Sequence, residues 1–167
     1  MEEANSLFAL QQIIMSKLYK ALGLTMQELY MKLKDYIRSD VYDAYNPIWY
    51  ERTDNLLNNW IVSDPVIIGT SVSSSISLDS LEYNDENWWH GNSNIDNSIL
   101  DPSEFVNIIN DGLGSTNFGF PNIGKRPFWD DFKNYVEKNL DNIFMQKCLE
   151  VGLVGTATGV TGVEFSQ

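Results

Sequence analysis

Cysteine and histidine are almost absent from this chain: Cys148 and His90 are the sole examples of each. A single thiol excludes an internal disulfide, and one thiol with one imidazole cannot assemble the ligand set of a structural zinc. Cys148 lies in an apolar helical pattern and is expected to be a core thiol. Long apolar runs are missing too. None approaches the roughly 18 residues that a membrane-spanning helix requires. The start Met1-Glu2-Glu3 is the reverse of a basic signal-peptide leader, so the expectation is a protein folded in a cytoplasm, with no membrane association.

The third absence is local. From Thr53 to Gly124 there is no lysine or arginine, while ten carboxylates between Asp54 and Asp111 occupy the same segment. Six basic and seven acidic residues precede it and five and six follow, so the three segments carry −1, −10 and −1 of the net charge of −12. Binding to nucleic acid depends on Lys and Arg neutralising phosphates, which disfavours a DNA reader. The plainest use of such a segment is a solvated face that keeps the protein soluble.

What is present suits one α+β domain over residues 1–150, followed by an extended or disordered arm over 151–167. The 167 residues are 43% hydrophobic and 13% aromatic, enough for one core. Leu7, Leu10, Ile14, Leu18 and Ala21 recur at three- and four-residue intervals and predict a helix over 4–22 with these residues on one buried face. Gly23 then offers a left-handed stop. Thr25-Met-Gln-Glu28 reads as a capping box that starts a second helix, giving an N-terminal helix pair. Asn46-Pro47 ends it. Alternation from Leu56 to Val62 and from Ser71 to Asp79 predicts a small antiparallel sheet, with a break at Asp64-Pro65 or at Gly69-Thr70. Residues 84–100 read as a loop. Asp101-Pro-Ser-Glu104 opens a short middle helix closed by Gly112. A long C-terminal helix from Pro127 to about Glu150, with Asp130 and Asp131 favouring its N-terminal dipole, is expected to pack on the sheet.

Catalytic chemistry finds little support. His90 with Asp85 or Glu86 fixes no geometry, and no nucleophile elbow is present. The pairs Asp130-Asp131 and Asp85-Glu86 are adjacent residues that do not face each other across a substrate. Asn92, Asn94, Asp96 and Ser98 alternate as calcium ligands might, without the glycine and closing glutamate of a calcium loop. The chain is expected to be no enzyme and to need no cofactor or metal.

Aromatic surface remains. Between Tyr42 and Trp60 lie Tyr42, Tyr45, Trp49, Tyr50 and Arg52 around Pro47, a joint where helix gives way to strand. Trp88 and Trp89 stand together in the loop. Large aromatic anchors are what interfaces use. Trp60 and Trp129 are expected in the core, with Arg126 to Trp129 as the joint's partner in space. Tyr45, Pro47, Tyr50, Arg52, Thr53 and Leu56, with Arg126, Pro127, Phe128 and Trp129, resemble the motifs of the tail-completion, or head-to-tail joining, family of tailed bacteriophages, over about residues 24–149. The resemblance implies a non-enzymatic α+β virion protein that forms a ring of its own copies in the neck. Portal or adaptor would lie on the head side, and tail terminator or tail tube on the tail side. DNA would pass through without sequence-specific binding, and assembly would take place in the host cytoplasm. Interface candidates are Tyr42, Tyr45, Trp49, Tyr50, Arg52, Trp88, Trp89, Arg126 and Trp129, with Val160 and Phe165 in an arm that reaches a neighbour's sheet. The competing readings are another phage assembly component, such as a tail terminator or minor capsid protein, and an acidic DNA-mimic inhibitor.

Overall fold

The computed structural model describes residues 6–44, 54–79, 102–112 and 124–154. The class is α+β, with a long N-terminal helix, two small antiparallel sheets and a C-terminal helix packed against them. Helix α1 runs over Leu7–Tyr36 and passes directly into a π-helix over Ile37–Tyr42. A single helical turn, α2 (Asn55–Asn58), precedes strands β1 (Trp60–Val62), β2 (Val66–Ile68), β3 (Ser71–Ser73) and β4 (Ile76–Leu78). Helices α3 (Pro102–Asp111) and α4 (Phe128–Glu150) complete the order. The chain gathers into two compact units, one of Met1–Lys32, Val62–Ser77 and Phe132–Gln167, the other of Leu33–Ile61 and Leu78–Asp131.

The expected helix pair is one continuous helix. Gly23 does not terminate it; the helix runs through, and a β-carbon there would stand 3.6 Å from Pro65 Cγ, an ordinary contact. Thr25 caps nothing. It is fully buried, and its hydroxyl donates to the Ala21 carbonyl one turn back at 2.9 Å, which satisfies the side chain without breaking the helix. Burial follows a strict four-residue row: Ala21, Thr25, Leu29, Leu33, Ile37 and Val41. In an α-helix such a row drifts by about 40° per step. The wider turn of the π-helix, marked by Asp43 N–H donating to Arg38 O at 2.8 Å, takes some of that drift back while Ile37 and Val41 stay buried.

The strand expected from Leu56 starts later. Asp54 adopts a left-handed conformation, φ 56°, and its carbonyl accepts from Leu57 and Asn58, winding α2 before the strand begins at Trp60. Leu56 and Trp60 are both buried and four apart, a spacing that fits a helical turn as well as a strand. Both possible breaks are used. The tip at Gly69, φ 63°, closes the β2–β3 hairpin, in which Val66 faces Ser73 and Ile68 faces Ser71. The turn at Asp64-Pro65 sets that hairpin inside an outer pair, β1 with β4. The outer pair is bracketed by Ser63 N–H to Ser75 O at 2.9 Å and Asp79 N–H to Asn59 O at 2.8 Å. From Ser71 to Asp79, Val72, Ile76 and Leu78 alternate with exposed serines as expected, although Ser74 and Ser75 interrupt the strand.

Helix α4 ends at Glu150 as expected, and the cap takes three further residues. Gly152, φ 75°, is the left-handed position; its N–H reaches Leu149 O at 2.9 Å and that of Leu153 reaches Cys148 O at 2.8 Å. This is the Schellman pairing. The expected arm from 151 thus begins with capping residues, and 155–167 lie outside the described residues.

Candidate assembly surface

Within the second unit, the start of α4 is held by α3. Pro127 sits before the first helical residue and has no side chain with which to cap. Asn110 of α3 supplies the missing group. Its Oδ1 accepts from the Asp130 N–H at 3.2 Å, while its Nδ2 donates to Asp130 Oδ2 at 2.9 Å and Asp111 Oδ1 at 3.0 Å. Asn110 is buried, at 4% exposure, so this set of bonds also satisfies a buried amide. The Arg126 N–H donates to Ile109 O at 3.1 Å and fixes the chain just before Pro127. Sequence reasoning missed Asn110; the one available signal was an asparagine directly following the apolar pair Ile108-Ile109.

The joint expected between the two aromatic motifs is seen in its described part. Trp60 stacks on Trp129 with centroids 5.3 Å apart and planes 23° off parallel, and its indole N–H donates to Leu56 O at 2.7 Å. Arg126 Nη1 makes a long bond, 3.5 Å, to Val41 O at the end of the π-helix. Trp60 is buried, while Tyr42, Arg126 and Trp129 are half-buried. These residues are drawn together chiefly as packing. Tyr45, Trp49, Tyr50, Arg52, Trp88, Trp89, Val160 and Phe165 lie outside the described residues, as do His90 and the Asn92–Ser98 series.

The first unit exposes apolar side chains in two places, one that sequence reasoning did not single out and one, the start of α1, whose stripe was expected to be buried. Strand β2 shows all three of its residues, Val66, Ile67 and Ile68, to solvent. It pairs with β3 on one side, so its other edge carries open backbone donors and acceptors among the described residues. Three consecutive apolar residues in a strand place apolar groups on both faces, which was the signal to read. The second place is the beginning of α1, where Leu7, Phe8, Leu10 and Ile14 are exposed. Exposed apolar groups in such concentration mark contact surfaces rather than ordinary solvent faces.

The polar groups of this unit are structural. Lys147 of α4 donates to Glu28 of α1 at 3.0 Å and to Glu150 at 3.1 Å. Those two bonds, Glu28 first, hold its ammonium above the usual lysine range. Lys32 lies over the Tyr135 ring, 5.3 Å from its centroid. Burial pushes the Cys148 thiol up from its ordinary value. Among the described residues no His, Cys, Asp and Glu come together as a metal site, and no helix is long and apolar enough to cross a membrane.

A family model fits residues 6–150, nearly all of the chain, under the description YomN, which names no activity. No curated protein and no solved structure matches the chain.

Proposed function

From the premise that the chain belongs to the YomN family, we propose that it is a non-enzymatic virion protein of a tailed phage. In this reading its copies form a ring around the DNA channel of the neck, between portal or adaptor and the tail. The observation that carries this reading is the open apolar edge of β2. A strand exposing Val66, Ile67 and Ile68 beside backbone groups that have no partner among the described residues is a surface that another chain extends by adding a strand. Ring closure needs unlike patches that meet head to tail, so the β2 edge would meet a different surface of the next copy. The cation-free, acidic stretch from Thr53 to Gly124 supports the same reading, because DNA that must slide through a channel is not held by Lys and Arg contacts.

Electron microscopy and mass photometry of the purified protein, alone and with portal, test this proposal. Ring-shaped particles are expected, and Ile67→Lys, at an exposed position, should abolish them without lowering the melting temperature. Monomers under every condition, or rings unaffected by Ile67→Lys, would refute it. Salt-sensitive binding to a basic nuclease or repressor would instead favour the DNA-mimic reading.

A further inference from the structure

The start of α1 is an apolar helix with an open face. Residues 6–16, SLFALQQIIMS, hold no charged side chain, in a protein whose net charge is −12. Leu7, Leu10 and Ile14 recur at three- and four-residue spacing and lie in line with Ala21 and Thr25, which are buried further along the same helix. Phe8 flanks them. Exposure is 38% at Ile14, 44% at Leu10, 70% at Phe8 and 84% at Leu7. From Leu7 to Lys17 the stretch is about 15 Å long at 1.5 Å per residue. At its inner end Lys17 Nζ donates to Gly152 O, in the cap of α4, at 2.9 Å. Leu149 and Val154, on either side of Gly152, are exposed as well.

Area and charge together select what covers this stretch. At roughly 200 Å² for a fully open side chain of this size, the four leave on the order of 500 Å² bare on each copy. Two copies face to face would bury on the order of 1,000 Å², the size at which a specific interface forms, before Leu149 and Val154 are counted. A protein of charge −12 repels its own copies, and the repulsion is least where neither surface carries charge. Parallel pairing of two such helices would set Lys17 against Lys17 and Lys20 against Lys20; antiparallel pairing keeps them apart. We infer that the protein dimerises through this stretch, two α1 starts crossing antiparallel about a two-fold axis beside Leu10, with Leu7 of each copy against Ile14 of the other. The β2 edge takes no part, and the pairing stands whether or not that edge closes a ring.

Sedimentation of the full chain carrying Ile67→Lys, which removes association through β2, tests it. A monomer–dimer equilibrium with a dissociation constant of roughly 1–100 μM is expected for an interface of this size. Leu7→Glu should weaken it by about tenfold or more while leaving the melting temperature of the monomer unchanged. Monomers at every concentration, or dimers indifferent to Leu7→Glu, overturn the inference. So does a monomer that dimerises only when residues 155–167 are removed, since the chain's own end would then be the cover. In the otherwise natural chain, Leu10→Cys treated with a short bismaleimide should give a crosslinked dimer, and Ser16→Cys, turned away from that face, should not. Crosslinking as strong at Ser16→Cys as at Leu10→Cys likewise overturns it.

Discussion

Gly23 shows how one residue type serves opposite ends. As a helix stop it would need a positive φ, and alanine there would be strained. It lies instead inside α1, where an added methyl would meet Pro65 at ordinary contact distance. Gly23→Ala is therefore expected to stabilise the protein by about 0.5–1 kcal/mol in denaturant unfolding, through helix propensity alone. Gly152→Ala should do the reverse, losing about 1 kcal/mol, because the φ of 75° is required by the cap and Lys17 Nζ stands 3.3 Å from the new methyl. Asn110→Ala should cost about 1–3 kcal/mol, since the Asp130 amide and the Asp130 carboxylate each lose a partner. Cys148 was legible as a core thiol from its place in the α4 stripe. Burial keeps it protonated, and alkylation should be slow in the native protein and fast only after unfolding. Asn110 and Thr25 were not legible in this way, because the partner of a polar side chain is a tertiary fact.

Secondary-structure types could be read where one period dominated, and failed where two periods agreed. The stripe of α4 and the serine alternation of β3 and β4 each have one interpretation. Leu56 and Trp60 have two, and the left-handed Asp54 decided for a helical turn. At 23–28 the local stop and start signals were sound chemistry overruled by packing, since the four-residue row from Ala21 to Val41 buries more as one helix than as two. The link between α1 and α4 has a pH signature. The Lys147 ammonium is raised by Glu28 and Glu150, so its contribution to stability is present below the unfolded lysine value, about 10.4, and is lost as pH rises through the higher folded value. Lys147→Met should be less stable than the natural protein at neutral pH, and thermal melts should converge above that range.

At the scale of the whole molecule, charge placement was visible from the sequence, while the apolar surfaces were not. Leu7 and Ile14 look like core in any helical projection, yet both are exposed. With −12 overall and no cation from Thr53 to Gly124, the protein is expected to leave duplex DNA unretarded in a mobility-shift assay at physiological salt. A retarded band that vanished with added salt would contradict the sliding-channel reading. The hairpin within a hairpin bears on how the chain finds its structure. Closing β2 on β3 joins residues that are close in sequence, and once it has formed, the loop that β1 and β4 must still close is effectively shortened. The sheets should therefore zip from the Gly69 tip outward, and lengthening that tip should slow refolding more than it speeds unfolding.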